Sequence, residues 1–346
     1  MNADTYAEQL GKEVYPSFSF RARDIDEAVR WQRAFRAELA SLLGLPVIAS
    51  RGAPPLTARQ ISVEPQPDHV REEWTLETEP GFHLSFYLLK PLDAGSDPRP
   101  LVLTPHGHGK LAKKTYVGIY ETEADRLSIV EGERDIALQA VREGYIAIAP
   151  DMRGFAGLRL KEDIEKDANN SCQILQLRAY MFGRTLIGDR VWDIQRLIDW
   201  ASTRPDVDSR RIVITGNSGG GTISVFAAAI DERIGVAVPG SYFCTFKDSI
   251  LAIRHCACNY VPGLSRRAEM YDVAALIAPR PFLAVSGRQD PIFPIQATQY
   301  AYERLKEAYA VFGREEFCAL SIGEGGHRYY KKDVWPFVRR ALEQLG

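Results

Sequence analysis

Hydrophobic positions change rhythm twice along this chain. From Asp24 to Leu43, Ile25, Ala28, Val29, Trp31, Phe35, Leu39 and Leu42 recur at three- and four-residue steps, which predicts an amphipathic helix. Gly44 and Pro46 stop it. Period-two alternation follows at Gln60–Glu64, Glu73–Glu77 and His83–Leu89 and predicts antiparallel strands and hairpins. After Asp97-Pro98 the alternation gives way to short continuous apolar runs at Leu101–Leu103, Tyr145–Ala149, Ile212–Thr215, Gly235–Val238, Pro281–Val285 and Phe317–Ile322. Strands buried on both faces read this way. Helical patterns separate them at Arg134–Glu143, Val191–Thr203, Thr222–Ile230, Gln296–Ala310 and Val334–Leu345. Strand and helix in alternation make βαβ units around a mostly parallel sheet, an α/β fold.

Two links are long. Those from Ala149 to Val191 and from Pro239 to Pro281 each run to about 40 residues, the length at which a loop builds a lid or a pocket wall. The organisation expected is an N-terminal extension over 1–95 packed on a larger α/β domain over 96–346, with insertions at about 155–190 and 241–275.

Composition narrows the class. Of 346 residues, 45% are hydrophobic and 25% charged, enough apolar mass for a full core. The net charge is −2 and no basic stripe stands out, so no nucleic-acid partner is expected. No apolar run approaches the ~20 residues of a membrane span, so no membrane partner is expected either. Met1 to Leu10 has neither the basic nor the apolar region of a signal peptide. Five cysteines are few and odd in number, which favours a reducing compartment and a cytoplasmic location.

The segment from Arg211 to Thr222 carries the most chemistry. A buried strand runs into Gly216-Asn217-Ser218-Gly219-Gly220 and then a helix, which is G-x-S-x-G in strand–turn–helix context. Gly216 and Gly220 remove bulk around a strained turn that exposes the Ser218 hydroxyl, and the helix N-terminus behind it favours developing negative charge. No Walker or dinucleotide glycine pattern fits the same residues.

A serine nucleophile needs a base and an orienting carboxylate, here in the chain order Ser, acid, His. His327 follows the last strand in Gly323-Glu-Gly-Gly-His, whereas His255 lies inside an insertion with no strand before it. Asp290 sits on the turn after the strand at Pro281–Val285 and is the expected acid; Glu324 competes but reads as exposed. The oxyanion donors are expected to be the backbone N–H groups of Gly219 and of His108, in the His106-Gly-His-Gly turn after an early strand. His106 is expected to pack beneath that turn. Asp151-Met-Arg-Gly154 reads as an internal Asp–Arg brace. Tyr242 and Phe243 mark a candidate acyl pocket, against the plainer reading that they are core. Cys256 and Cys258 are too closely spaced for a usual zinc pair and lack a second pair, so no metal is expected.

With these residues in hand, the chain resembles the α/β-hydrolase superfamily, and more narrowly its bacterial acetyl xylan esterase and dienelactone-hydrolase-like branch. The matching stretches are Pro105-His-Gly-His-Gly, Ala149-Pro-Asp-Met-Arg-Gly, Gly216-Asn-Ser-Gly-Gly, Ala278-Pro-Arg-Pro through Asp290-Pro-Ile-Phe-Pro, and Gly326-His327. They cover the chain from about Pro100 onward. His108 stands where relatives place a tyrosine, and Asn217 where many have Gln, Cys or Glu. The resemblance implies a serine carboxylesterase working through an acyl-enzyme, without cofactor, on small acyl esters such as acetylated carbohydrates. Two alternatives remain: a peptidase of the prolyl-oligopeptidase type, for which 95 leading residues are too few to make a propeller, and a non-catalytic hydrolase-fold binding protein. The N-terminal helix, with Trp31 and Phe35 one turn apart, packs on the sheet or mediates a homo-oligomer; the sequence leaves both open.

Overall fold

The computed structural model describes residues 15–92 and 97–345, with Tyr6, Gln9 and Glu13. Helix α1 (Ile25–Leu43) begins at Asp24, whose side chain accepts the Glu27 N–H, and ends where Gly44 takes a left-handed φ of 82°. Three long antiparallel strands follow: β1 (Ala58–Pro65), β2 (His69–Glu79) and β3 (Phe82–Pro91). The alternating strands then give way to β4 (Arg99–Leu103), helix α2 (Ile136–Arg142) and β5 (Ile146–Pro150). Helices α3 (Cys172–Met181) and α4 (Leu186–Ala201) lead into β6 (Val207–Asn217), α5 (Gly219–Ile230) and β7 (Ile234–Gly240). The chain finishes with α6 (Met270–Ala275), β8 (Phe282–Gly287), α7 (Ile295–Val311), β9 (Cys318–Gly323) and α8 (Val334–Gln344).

Among the described residues nine strands form one sheet in the order β1-β2-β3-β5-β4-β6-β7-β8-β9. β1, β2, β3 and β5 pair antiparallel, and β5, β4, β6, β7, β8 and β9 pair parallel. The strands before residue 92 therefore extend the parallel sheet through the β3–β5 pairing. The continuous apolar runs have a direct cause. Leu101 and Leu103 face one hydrophobic cluster and Val102 faces the other, because helices cover both faces of the sheet. Strand order reverses at β4, and such a switch opens a crevice beyond the carboxyl ends of the strands. α1 packs against the helical layer inside the chain: Arg36 donates to the carbonyls of Ala229 and Leu276, and Gln32 to those of Ala275 and Ala278. Among the described residues no helix is long and apolar enough to cross a membrane.

Candidate active site

Four strand ends meet at the crevice. Beyond β6, Ser218 holds φ 58° and ψ −118°, a conformation side chains avoid. Its N–H donates to the Gly240 carbonyl at 2.8 Å, which ties the turn to β7. The flanking glycines have a concrete reason. A Cβ on Gly216 or Gly220 would stand 2.2 or 2.0 Å from the Pro105 carbonyl oxygen, so the residue after β4 can lie against the turn only if both are glycine. Gly219 opens α5, so its N–H has no partner in a preceding helical turn and lies at the positive end of the helix dipole.

Beyond β8 lies Asp290, whose side chain is fully buried. Its Oδ1 accepts the N–H groups of Ile292 and Phe293, and its Oδ2 meets His327 Nδ1 at 2.8 Å. With Oδ1 taken by two donors, Oδ2 receives the Nδ1 proton and leaves Nε2 as the basic ring nitrogen. Phe293 stacks on the imidazole, centroids 5.8 Å apart, and fixes its plane. Ser218 and His327 line the same cavity of about 310 Å³, together with His106, Gly107 and His108 of the turn after β4. Glu324 sits on the surface, paired with Arg288.

His106 packs beneath its turn as expected. The Met152 N–H donates to its Nε2 at 3.0 Å, and burial pulls its pKa down to about 3. The Asp–Arg brace is different from the one the sequence suggests. Asp151 pairs with Lys113 at 3.0 Å, while Arg153 binds Asp193 and Glu79. Each turn residue therefore pairs with a partner from another element.

The candidate pocket residues are also corrected. Tyr242 and Phe243 are wholly buried: Tyr242 packs on Phe293, and Phe243 on Phe282. Immediately after β7, Ser241 adopts φ 44° and its N–H bonds the Val285 carbonyl, which turns both aromatics inward. The cavity wall comes instead from Ile253, Arg254, His255 and Cys256 further along the same insertion, with Arg134 and Ile292 opposite. The sequence singles out His255 and Cys256, but no local motif marks Arg134, Ile253 or Arg254. His255 packs edge-on to Phe293, and burial lowers its pKa.

The second pair that the Cys256–Cys258 spacing lacks is supplied by remote residues. Cys172 at the start of α3 and His108 after β4 lie beside them, so the expectation of an isolated Cys pair does not hold. All five cysteines are free.

A Bacillus subtilis (strain 168) protein named "Putative hydrolase YtaP" is 26% identical over 284 residues, covering 79% of this chain and 87% of its own. A "putative acetyl xylan esterase" from Bacteroides fragilis superposes with a TM-score of 0.76 at 19% identity, covering 96% of this chain and 83% of the other. A glucuronoyl esterase from Solibacter usitatus gives a TM-score of 0.66 at 17% identity, covering 97% of this chain and 100% of the other. Identities this low carry the fold alone, the α/β-hydrolase fold. The sequence matches the Abhydrolase family over residues 3–319, and the chain belongs to that family.

Proposed function

We propose that the protein is a serine carboxylesterase that cleaves small acyl esters, acetylated carbohydrates first among them, through an acyl-enzyme. The observation that carries this reading is the Asp290–His327 hydrogen bond beside Ser218 at the carboxyl end of the sheet. In this mechanism His327 Nε2 takes the Ser218 proton as Oγ attacks the acyl carbonyl. Asp290 keeps the proton on Nδ1 and stabilises the imidazolium. The N–H groups of Gly219 and His108 receive the oxyanion, each worth about 3–4 kcal/mol by analogy with donor deletions elsewhere. The imidazolium then protonates the departing alcohol. Water, deprotonated by His327, attacks the acyl-enzyme and releases the acid and Ser218.

The cavity supports a short acyl group, because 310 Å³ lies at the small end of the range for ligand sites. The names of the solved relatives, an acetyl xylan esterase and glucuronoyl esterases, agree with a carbohydrate ester. One observation favours a second reading. Arg134 and Arg254 both line the cavity, which suits a substrate bearing a carboxylate, such as a uronic acid residue. Hydrolysis of p-nitrophenyl esters from acetate to octanoate, beside acetylated xylan and a methyl uronate, separates the readings. Activity peaking at acetate and acetate release from the polymer are expected. Ser218→Ala is expected to abolish turnover while retaining the fold, and unchanged activity in that variant refutes the assignment. Turnover of an aminopeptide p-nitroanilide in place of esters would point to a peptidase.

A further inference from the structure

His108, Cys172, Cys256 and Cys258 come from three distant parts of the chain, yet their side-chain donor atoms all lie within 4.8 Å of one another. The Sγ atoms of Cys256 and Cys258 are 3.3 Å apart, and Cys258 Sγ is 3.5 Å from His108 Nε2. A tetrahedral centre with metal–sulfur bonds of about 2.3 Å and a metal–nitrogen bond of about 2.0 Å sets its sulfurs roughly 3.8 Å apart and sulfur from nitrogen roughly 3.5 Å apart. The Cys258–His108 distance matches, the Cys256–Cys258 distance is about 0.5 Å shorter, and no donor pair is wider than 4.8 Å. Its donors are three sulfurs and one imidazole, with no carboxylate. Such a set excludes the oxygen-seeking calcium and magnesium ions and selects a thiophilic one.

A second observation concerns charge. Arg190 is 3% exposed, and among the described residues no carboxylate pairs with it. Its guanidinium donates to the Arg153 carbonyl and, at 3.4 Å, to Cys172 Sγ. A buried cation without an anion is costly. Three thiolates, one neutral imidazole and one divalent ion sum to −1, which is the charge Arg190 lacks.

We infer that His108, Cys172, Cys256 and Cys258 form a closed, structural site for a zinc-type divalent ion. Four protein ligands leave no open position for catalysis. The ion joins α3, the insertion after β7 and the turn after β4 at one point. Binding replaces three thiol protons, which pass to solvent, so affinity falls as the pH is lowered. The site does not depend on the esterase reading. If that reading holds, the ion also steadies the turn that carries the His108 N–H, while the ligand atom is the ring Nε2.

The test uses the full chain grown with zinc and purified under reducing conditions without chelator. Elemental analysis should find one zinc per chain. Cys258→Ser and Cys256→Ser should reduce this more than tenfold, whereas Cys244→Ser and Cys318→Ser, at buried cysteines elsewhere, should keep it. The ligand variants test the site only if they fold, so the wild-type protein is also stripped and refilled with cobalt(II). Thiolate-to-cobalt charge-transfer bands and d–d bands of tetrahedral intensity are expected. Folded, reduced wild-type protein that takes up neither zinc nor cobalt overturns the inference. So does a folded Cys258→Ser variant that keeps its zinc, or a disulfide among these cysteines that leaves the protein unable to bind zinc after reduction.

Discussion

Ser218 stores strain. Its backbone sits at φ 58° and ψ −118°, held by the hydrogen bond to Gly240 and by α5 starting at the next residue. A side chain in such a region costs roughly 1–3 kcal/mol, and glycine relieves most of it. Ser218→Gly should therefore raise unfolding stability by about 1 kcal/mol while removing ester turnover, with urea denaturation and a p-nitrophenyl acetate assay as the two measurements. A loss of stability would mean that the hydroxyl itself braces the turn. At the same scale, the sequence located Ser218, Asp290 and His327 because each follows a strand end through a short turn. Arg134 and Arg254 carry no such local signature, and only the cavity reveals them.

Among the elements, β2, the turn after β5 and α4 are locked by buried charge. Arg153 bonds Glu79 at 2.6 Å and both oxygens of Asp193 at 2.7 Å, while Arg184 bonds Glu79 and Asp189. Burial acts to raise the Glu79 pKa, but Arg184 and Arg153 outweigh it and hold the carboxyl below its ordinary value. Arg153→Met would leave Asp193 buried without a cation and Glu79 with Arg184 and Arg51 only, at a cost of about 3–5 kcal/mol in denaturant unfolding. A loss under 1 kcal/mol would show that Arg184 and water suffice.

The cap of α6 gives a pH prediction. Asp272 accepts the N–H groups of Phe20 and Glu269, yet burial outweighs them and raises its pKa from 3.8 to about 6. The folded chain thus holds this proton more tightly than the unfolded one. The resulting stabilisation is complete below about pH 3.8 and is lost as the pH rises through about 6. Relative to Asp272→Asn, the wild type should gain about 2–3 kcal/mol between pH 7 and pH 4. Parallel stability profiles for the two proteins would contradict this.

At the scale of the molecule, β3 joins the N-terminal strands to β5, and α1 is bonded to the layer formed by α5 and α6. Neither group can leave without exposing a long sheet edge or an apolar helix face. The chain should unfold in one transition, with near- and far-ultraviolet circular dichroism giving the same midpoint. An early separate loss of β-structure would show that the N-terminal strands melt alone.

The sequence by itself determined the strand and helix order, the strained serine turn and the turns carrying Asp290 and His327. Each depends on periodicity or on steric rules that act over a few residues. The tertiary structure alone decided which partners Arg153 and Asp151 take, that Tyr242 and Phe243 turn into the core, and that Ile253, Arg254 and Arg134 wall the cavity. It also brought Cys258 to His108 across 150 residues. These contacts come from strand order and from loops folding over the sheet, and no pattern of neighbouring residues encodes them.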